Sequence, residues 1–366
     1  MLCMSVARIV LFDQPDQPLR QASVPLLTPG VGEVLVRNAY TTLCRSDLNT
    51  YTGKRREPTP TILGHEIVGH IAALGPQAPE HDLRGQPLRV GDLVTWGIFA
   101  SDPDSPNARR DMPQKGDGLF KYGHEVHHPD STLHGGLGEY TLLRRHTAIA
   151  RVDAQVPLPV LALINCAIAT VAGSLRLAGD LADETVLVSG AGMLGLVACA
   201  MSKACGAARV FATDKSAARL DTARRFGADE GIAIDGIPEE DIADELAGRI
   251  GPGLHVLLEY SGAALAMETT LPLLAGGGRA VWVGATYPQR SVRIDAEQVV
   301  RRLLTLRGLH NYTPADLLEA VLFIENHHQT YPFDTLVQGG FDLDSAEAAF
   351  RHALDANPFR VGIDLR

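Results

Sequence analysis

Three glycines follow a short apolar run in the middle of the chain, in a pattern that could bind phosphate. The run Thr185–Ser189 ends at Gly190, and Gly190-x-Gly192-x-x-Gly195 then leads into a segment of helical character. In such a unit the first glycine permits the turn, the second lets the backbone approach a pyrophosphate, and the third lets helix and strand pack closely. The pyrophosphate binds at the helix N-terminus. The residues that we predict to bind a dinucleotide are Gly190, Gly192, Met193, Leu194 and Gly195.

An acidic residue follows at the distance expected for ribose recognition. The next apolar run, Arg209–Thr213, ends at Asp214, roughly 20 residues beyond the glycine-rich turn. A carboxylate there binds the ribose hydroxyls and repels a 2′-phosphate, so the sequence favours NAD over NADP. Lys215, next to Asp214, is also assigned to this site, and it leaves NADP as the alternative cofactor. A purely structural turn is the alternative, but the strand before and the helix after favour nucleotide binding.

Two stretches in the first half of the chain place metal-capable side chains beside small or turn-forming residues. One is Leu43–Asp47, which contains Cys44, and the other is Leu63–Gly69, which contains His65 and Glu66. Each side chain taken alone also has a structural interpretation. Free cysteine is among the most buried residue types, and His65 could be a turn histidine.

Composition excludes several classes of function. The 366 residues carry 33 Lys+Arg against 43 Asp+Glu, a net charge of −10 with no long basic run. We therefore expect no nucleic-acid and no membrane partner. The N-terminus lacks the features of a signal peptide, which predicts a cytoplasmic protein. Five scattered cysteines suit a reducing compartment with thiols that are free or metal-bound; they are Cys3, Cys44, Cys166, Cys199 and Cys205.

The chain changes character near residue 156. Residues 1 to about 150 have short alternating runs separated by Pro and Gly, which predicts β-structure. A long apolar helix is expected over Leu158–Leu177, and strands then alternate with helices, which implies a parallel, doubly wound sheet. The expected strands are 185–189, 210–214, 231–234, 256–260 and 280–283, and the helices between the later ones are 216–226, about 239–249 and about 264–274. Two further helices, near 314–326 and 345–354, precede a final strand at 361–365.

In this order the motifs resemble the zinc-dependent medium-chain alcohol and polyol dehydrogenases over essentially the whole chain. Besides the nucleotide motif, the matching segments are 44–47, 64–66 with Gly69, 91–94, 135–140 and Cys166-x-x-x-Thr170. Leu119–Glu125 resembles a branch linked to cyclitol, polyol or phosphonate metabolism. The resemblance implies an α/β protein with a GroES-like β-rich catalytic domain, residues 1–165 and 309–366. It also implies a Rossmann domain with a doubly wound parallel sheet, residues 166–308.

The resemblance also implies a catalytic zinc. The matching positions are Cys44, His65 and Cys166, with Glu66 as a nearby or exchangeable ligand. Two thiolates and an imidazole with an open fourth position suit Zn²⁺ acting as a Lewis acid on a substrate oxygen. NAD would then accept the hydride.

Three further residues match catalytic positions of the family. Ser46 matches the hydroxyl that takes the proton from the alcohol, and Asp47 matches the carboxylate that orients a ligand histidine, here His65. Thr170 matches a position beside the nicotinamide. Many relatives have a proton-relay histidine where this chain has Asn49, so the relay must use another group. The structural alternatives are a turn serine, a helix cap and a packed threonine.

The loop 100–118 departs from the family pattern. Many relatives hold a structural zinc there with four cysteines, but this chain has no cysteine between Cys44 and Cys166, and Gly116 stands in place of the last one. We therefore expect one zinc per subunit and no structural zinc. A nearby group of histidines fits no strong zinc signature: His124, His127, His128 and His134. Lys121 or His124 could contact a polyol or phosphorylated substrate.

The implied function is interconversion of a secondary alcohol, polyol or cyclitol-like, and a ketone by an NAD-dependent zinc dehydrogenase. Its partners would be the small-molecule alcohol or ketone and other copies of the chain, as a dimer or tetramer joined at sheet edges. Two alternatives remain open. One is a zinc-free NAD(P)H-dependent quinone or enone reductase, and the other is a catalytically silent nucleotide-binding or redox-sensing protein.

Overall fold

The computed structural model describes residues 6–129 and 132–366, so Cys3 lies outside the described residues. The chain forms two compact units. The first comprises Met1–Ala169, Thr313–Gln329 and Phe333–Arg366, and the second comprises Thr170–Tyr312 with Thr330–Pro332. The boundaries between the units lie after Ala169 and after Tyr312, a few residues beyond the positions 165 and 308 expected from the sequence. Cys166 therefore belongs to the first unit.

The described residues form the following strands and helices, numbered in chain order. The strands are β1 (Val6–Leu11), β2 (Arg20–Pro25), β3 (Val34–Leu43), β4 (Glu66–Leu74), β5 (Leu93–Trp96), β6 (Phe99–Ala100), β7 (Phe120–Lys121), β8 (Tyr140–Leu143), β9 (Ile149–Arg151), β10 (Thr185–Ser189), β11 (Arg209–Asp214), β12 (Glu230–Ala233), β13 (Leu254–Glu259), β14 (Leu274–Trp282), β15 (Thr305–Gly308), β16 (Val337–Asp342) and β17 (Arg360–Asp364). The α-helices are α1 (Arg45–Tyr51), α2 (Leu158–Leu161), α3 (Ala169–Ala178), α4 (Met193–Ala204), α5 (Ala217–Arg225), α6 (Ile242–Ile250), α7 (Ala264–Thr270), α8 (Ala296–Arg301), α9 (Pro314–His327) and α10 (Ala346–Asp355).

The first unit is built around a seven-stranded sheet, as its β-rich sequence predicts. The strand order is β16-β17-β3-β4-β5-β9, with β8 paired to β3. Strand β3 pairs antiparallel with β4, β8 and β17, so the last strand of the chain lies beside an early one. Apolar side chains of β1, β3 and α10 form one core, and those of β4, β5 and β9 contribute to a second. The end of β3, which leads into Cys44, and the start of β4, which follows His65, are therefore neighbours.

The second unit contains a six-stranded parallel sheet in the order β12-β11-β10-β13-β14-β15. This order, read from the first strand outward, is the doubly wound dinucleotide-binding arrangement. It confirms the fold class expected from the alternating pattern. Buried residues of β10, β11 and β13 pack against α6, whose inward residues are Ile242, Leu246 and Ile250.

Several boundaries differ from the sequence prediction for identifiable reasons. The expected helix at 264–274 ends at Thr270 and becomes a 3-10 turn, Leu271–Leu273, because Pro272 has no N–H to continue the helix. The expected long helix over 158–177 is interrupted by a π-helical turn, Ile164–Ile168. Helix α1 is only seven residues long, so the sequence shows no extended helical periodicity there.

Leu158–Ala178 is the one described stretch whose length and apolar composition would permit it to cross a membrane. In the structure 78% of its most apolar window is buried. The core helix of a globular protein has the same properties, so the stretch is weak evidence for a membrane span.

Candidate functional site: a Cys/His metal group and a nucleotide turn

Three side chains from separate parts of the first unit converge at one point. Cys44 stands between β3 and α1, His65 precedes β4, and Cys166 lies in the π-helical turn. Their ligand atoms all lie within 4.8 Å of one another. A π-helical turn inside an α-helical stretch often marks a functional position, and here it carries Cys166. The paired strands β3 and β4 bring Cys44 and His65 together, although 21 positions separate them in the chain.

The donor set suits zinc. Thiolate and imidazole are the ligands that Zn²⁺ prefers, with bond lengths of about 2.3 Å to sulfur and about 2.0 Å to nitrogen. Atoms within 4.8 Å of one another can reach one ion of this size after small side-chain adjustments. Among the described residues, this is the only His/Cys/Asp/Glu group of three or more that is close enough to hold a metal. The expected histidine cluster of residues 124–134 forms no second group of this kind.

Asp47 contacts two residues of the metal group, which is Cys44, His65 and Cys166, and also the residue before His65. Its Oδ2 accepts a hydrogen bond from the N–H of Cys44 at 2.8 Å, and its Oδ1 accepts one from the N–H of Gly64 at 3.2 Å. Nδ1 of His65 lies 3.2 Å from the same Oδ1. The carboxylate therefore caps α1 and also lies beside the imidazole; that it orients a zinc ligand stays a prediction.

The same contacts shift the pKa of the histidine. Burial lowers the pKa of His65, but the charge and hydrogen bond of Asp47 and the neighbouring Cys44 outweigh burial, and the pKa lies well above its usual value. With Nδ1 facing Asp47, Nε2 is the nitrogen left for a metal. Oγ of Ser46 lies 3.4 Å from this Nε2, which places the serine hydroxyl on the side of the metal group.

The two thiols differ in ionisation. A hydrogen bond from Cys166 lowers the pKa of Cys44 well below its usual value; burial opposes this shift, and the Arg360 guanidinium adds to it. The same hydrogen bond raises the pKa of Cys166. Nη2 of Arg360 lies 3.6 Å from Sγ of Cys44. Cys44 therefore loses its proton more readily than Cys166, and zinc binding would require both sulfurs as thiolates, the form that binds metals.

Glu66 does not join the converging atoms but forms a buried ion pair. Nε and Nη2 of Arg360 lie 2.7 and 2.8 Å from its two carboxylate oxygens, and Thr42 donates a further short hydrogen bond. Both charged side chains are almost fully buried. The sequence placed Glu66 near the metal as an exchangeable ligand; in the structure its carboxylate is held by arginine.

The second unit contains the predicted nucleotide turn. Gly190 has a φ of +97°, and a Cβ on Gly195 would lie 1.9 Å from the carbonyl oxygen of Gly190, so neither position tolerates a side chain. Gly192 is the N-cap residue of α4, and a Cβ added there would meet no atom within 4 Å. Met193 and Leu194 form the first turn of that helix. The backbone at Gly192 is therefore accessible to a pyrophosphate, as the motif requires.

Asp214 lies at the end of β11 beside this turn. Its Oδ2 accepts a hydrogen bond from the N–H of Ala191 at 2.8 Å, and its Oδ1 accepts one from the N–H of Ser216 at 2.8 Å. The carboxylate thus fixes the glycine-rich turn and leaves further lone pairs for ribose hydroxyls. Lys215 follows directly at the same edge of the sheet.

Comparison with known proteins identifies the family. Residues 30–153 match the alcohol dehydrogenase GroES-like domain, and residues 194–326 match the zinc-binding dehydrogenase family. The 5-exo-hydroxycamphor dehydrogenase of Pseudomonas putida is 30% identical over 333 residues, which are 89% of this chain and 90% of that protein. The chain belongs to the zinc-dependent medium-chain alcohol and polyol dehydrogenases. This membership confirms the resemblance and the GroES-like and Rossmann fold class.

Other relatives also match over nearly the whole chain. An L-threonine 3-dehydrogenase of Saccharopolyspora erythraea is 28% identical, with 92% of this chain and 90% of that protein covered. An alcohol dehydrogenase structure from Thermotoga maritima superposes with a TM-score of 0.90 at 24% identity, over 98% of this chain and 99% of that one. The relatives are dehydrogenases, which supports alcohol oxidation rather than the zinc-free reductase or the silent protein.

Two predicted positions of this dehydrogenase lie outside the converging group. Thr170 is half-buried and is the first residue of the second unit. Asn49, at the position of the relay histidine, lies in α1, where its carbonyl oxygen accepts the N–H of Arg55 at 2.9 Å. The roles of Ser46, Asp47 and Thr170 stay predictions.

Sequence reasoning missed two residues that support the metal group. Arg360 was not considered because no motif surrounds it, although a buried Glu66 requires a cation. Asn165 was also missed. Its Nδ2 donates to the carbonyl oxygens of His65 and Trp96, both at 3.0 Å, and its Oδ1 accepts the N–H of Ile67 at 3.2 Å. Asn165, which directly precedes Cys166, thus binds the backbone of both neighbours of Glu66, His65 and Ile67.

The lobe at 100–118 is closed by polar contacts. Oγ of Ser101 donates to the carbonyl oxygen of Pro113 at 2.7 Å, and Nδ2 of Asn107 donates to that of Lys115 at 2.8 Å. Gly116 packs so closely that a Cβ would lie 2.9 Å from the Ser101 hydroxyl. Hydrogen bonds thus link the two sides of a lobe that cysteines would otherwise hold.

Proposed function

We propose that this protein is an NAD-dependent dehydrogenase with one catalytic zinc per subunit, which interconverts a secondary alcohol, polyol or cyclitol-like, and its ketone. The observation that carries the proposal is the convergence of Cys44, His65 and Cys166 within 4.8 Å. The zinc would supply a Lewis acid that favours ionisation of an alcohol, and NAD would supply the hydride acceptor. Cys44, His65 and Cys166 would hold the metal.

The chain's own residues position the reactants and move the proton. Asp47 holds the imidazole of His65 with Nε2 towards the metal position, 3.4 Å from the Ser46 hydroxyl. Ser46 takes the proton of the alcohol. Asn49 cannot titrate, so the proton leaves Ser46 by another route. Thr170 would lie beside the nicotinamide, and Glu66 would be available as an exchangeable metal ligand if its pair with Arg360 opened.

Cofactor choice rests on the acidic end of β11. The Asp214 carboxylate would bind the ribose hydroxyls and repel a 2′-phosphate, while Lys215 would weaken that repulsion. The glycine-rich turn, Gly190–Gly195, would hold the pyrophosphate. The names of the two relatives, hydroxycamphor and threonine dehydrogenases, support a hydroxyl-bearing substrate for this chain as well.

Assembly and location complete the proposal. We expect a cytoplasmic homodimer or homotetramer joined through edges of the nucleotide-domain sheet, with no nucleic acid or membrane partner. Strand β15, Thr305–Gly308, is the outermost strand at one edge of that sheet. Its partly exposed residues are available for such a contact.

Metal content and turnover test the proposal together. The purified protein should contain one zinc per subunit and reduce NAD with members of a secondary-alcohol panel, whereas Cys44→Ser should lose both properties. Cys205→Ser is the matched control, because Cys205 is an exposed residue at the end of α4. Zinc-free wild-type protein, or turnover that survives in Cys44→Ser, would contradict the Lewis-acid mechanism. A preference for NADP would contradict the role of Asp214.

A further inference from the structure

A group of charged and polar side chains lies directly beside His65. We call it the charged cluster; its members are Arg55, Glu57, Lys121 and His124. The rings of His65 and His124 have centroids 4.9 Å apart. Nδ1 of His124 lies 3.3 Å from Oε1 of Glu57, and Arg55 forms an ion pair with the same carboxylate. The cluster thus begins at a metal-group residue and extends outward.

A tight turn fixes Lys121 next to His124. The carbonyl oxygen of Lys121 accepts the N–H of His124 at 3.2 Å. Gly123, with a φ of +76°, approaches so closely that a Cβ would lie 2.5 Å from the carbonyl oxygen of Gly64. The turn therefore packs against the residue that precedes His65, and Lys121 belongs to the same turn as His124, whose ring lies beside that of His65.

The cluster has an excess of positive charge. Arg55 and His124 share the carboxylate of Glu57, whose side chain is 11% exposed. Among the described residues, no carboxylate oxygen lies within the 4.0 Å ion-pair distance of the Lys121 ammonium. Glu125 accepts the backbone N–H of Lys121, not its ammonium. Glu57 and Glu125 thus lie near the Lys121 ammonium, but neither is in ion-pair contact with it.

This arrangement is costly unless an anion completes it. Lys121 is half-buried, and removing an ammonium from water without pairing it is unfavourable. Burial, with Lys115 and Arg55 nearby, lowers the pKa of Lys121 to about 8. A negatively charged group on the substrate would offset both the burial of the ammonium and the repulsion from the two neighbouring cations. A neutral polyol could accept hydrogen bonds from Lys121 but would supply no counter-charge.

We propose that Lys121, supported by Arg55, binds an anionic group of the substrate, so that the enzyme acts on secondary alcohols that also carry a carboxylate or phosphate. The inference rests on the proposed dehydrogenase function and narrows its substrate class. Glu57 holds Arg55 and His124 in place, and Lys121 is the specificity-determining residue. A purely structural cluster would pair Lys121 with a carboxylate of the fold.

Matched substrate pairs test the proposal. Wild-type enzyme with NAD is assayed on 3-hydroxybutanoate against butan-2-ol, and on propane-1,2-diol 1-phosphate against propane-1,2-diol. We expect one anionic member to exceed its neutral partner in kcat/KM by about tenfold to 100-fold, the range for a hydrogen bond to a charged group. The pair that shows the preference tells carboxylate from phosphate. Lys121→Gln should remove the preference, and Lys121→Arg should retain it.

Lys115→Gln is the matched control, because it removes the same charge from an exposed neighbouring position and should leave the preference intact. Equal or better turnover of both neutral partners, or an equal loss on both members of a pair in Lys121→Gln, would overturn the inference. If no alcohol is turned over, the proposed function fails separately. Calorimetric binding of 3-hydroxybutanoate and of propane-1,2-diol 1-phosphate to wild type and Lys121→Gln then decides: binding of either lost in the variant supports the anion site, and equal or absent binding refutes it.

Discussion

Arg360 holds both carboxylate oxygens of Glu66, with Nε 2.7 Å from Oε2 and Nη2 2.8 Å from Oε1. The two residues are 294 positions apart in the chain. Nη2 also lies 3.6 Å from the sulfur of Cys44. The last strand of the chain therefore contributes a cation that keeps the carboxylate ordered beside a predicted zinc ligand.

Removing that cation should destabilise the first unit strongly. Arg360→Met leaves the Glu66 charge buried without its partner, so we expect a loss of about 3–5 kcal/mol in the free energy of unfolding. Urea denaturation at neutral pH measures it. Arg366→Met is the control, since its pair with Asp364 is largely exposed and should contribute about 0–1 kcal/mol. Similar losses in both variants would show that burial does not govern the pair.

Asp47 offers a test of ligand orientation. Asp47→Asn keeps the shape but removes the charge facing His65, so we expect zinc affinity to fall about 10–100-fold, the range for groups that orient metal ligands. Competition with a chromophoric chelator measures it. Asp316→Asn is the control, because Asp316 accepts the N–H of Thr313 at 2.8 Å in an equivalent helix cap away from the metal group. Equal zinc affinity in Asp47→Asn and wild type would make the carboxylate only a cap.

Local motifs explain what the sequence could predict. The strand Thr185–Ser189, the glycine turn and Asp214 lie within about 30 residues, where strand, turn and helix signals reinforce one another. The predicted doubly wound sheet followed from those signals. Cys44 and His65 could be singled out because each stands in a short stretch of turn-forming residues.

Contacts that depend on long-range pairing could not be predicted. Arg360 meets Glu66 only because β17 lies beside β3, which in turn pairs with β4. Asn165 reaches His65 across 100 positions, and neither side chain stands in a motif. The π-helical turn around Cys166 was hidden because an apolar stretch shows no periodicity that separates α- from π-helix.

The nucleotide turn allows two glycines to be separated by function. Gly195→Ala would place a Cβ 1.9 Å from the carbonyl oxygen of Gly190, so we expect a loss of about 1–3 kcal/mol or more in stability. Gly192→Ala meets no atom within 4 Å and should change stability by at most about 1 kcal/mol. Its NAD dissociation constant should nevertheless rise by about tenfold, because the pyrophosphate must approach that backbone.

Thermal unfolding and calorimetric titration with NAD measure the two effects. A stable Gly192→Ala protein with wild-type affinity would contradict pyrophosphate binding at this turn. The Gly195→Ala variant checks the packing argument separately, because its defect should be visible without any cofactor.

Lys121 should give anionic substrates a distinctive pH dependence. Burial is the largest cause of its lowered pKa, Lys115 and Arg55 lower it further, and Glu57 and Glu125 raise it, with a net value of about 8. The protonated ammonium is the form that binds an anion. Binding should therefore be strongest well below the pKa of about 8 and should weaken as the pH rises through it and the proton is lost.

The measurement is the Michaelis constant of the preferred anionic alcohol between pH 7 and about 10, compared with its neutral partner. In wild type the constant should rise up to about tenfold per pH unit above the pKa, which an anion itself moves upward. Lys121→Arg should abolish the rise, because guanidinium stays protonated throughout this range. A rise of the same size in Lys121→Arg, or with the neutral alcohol, would assign the pH dependence to the reaction site and not to Lys121.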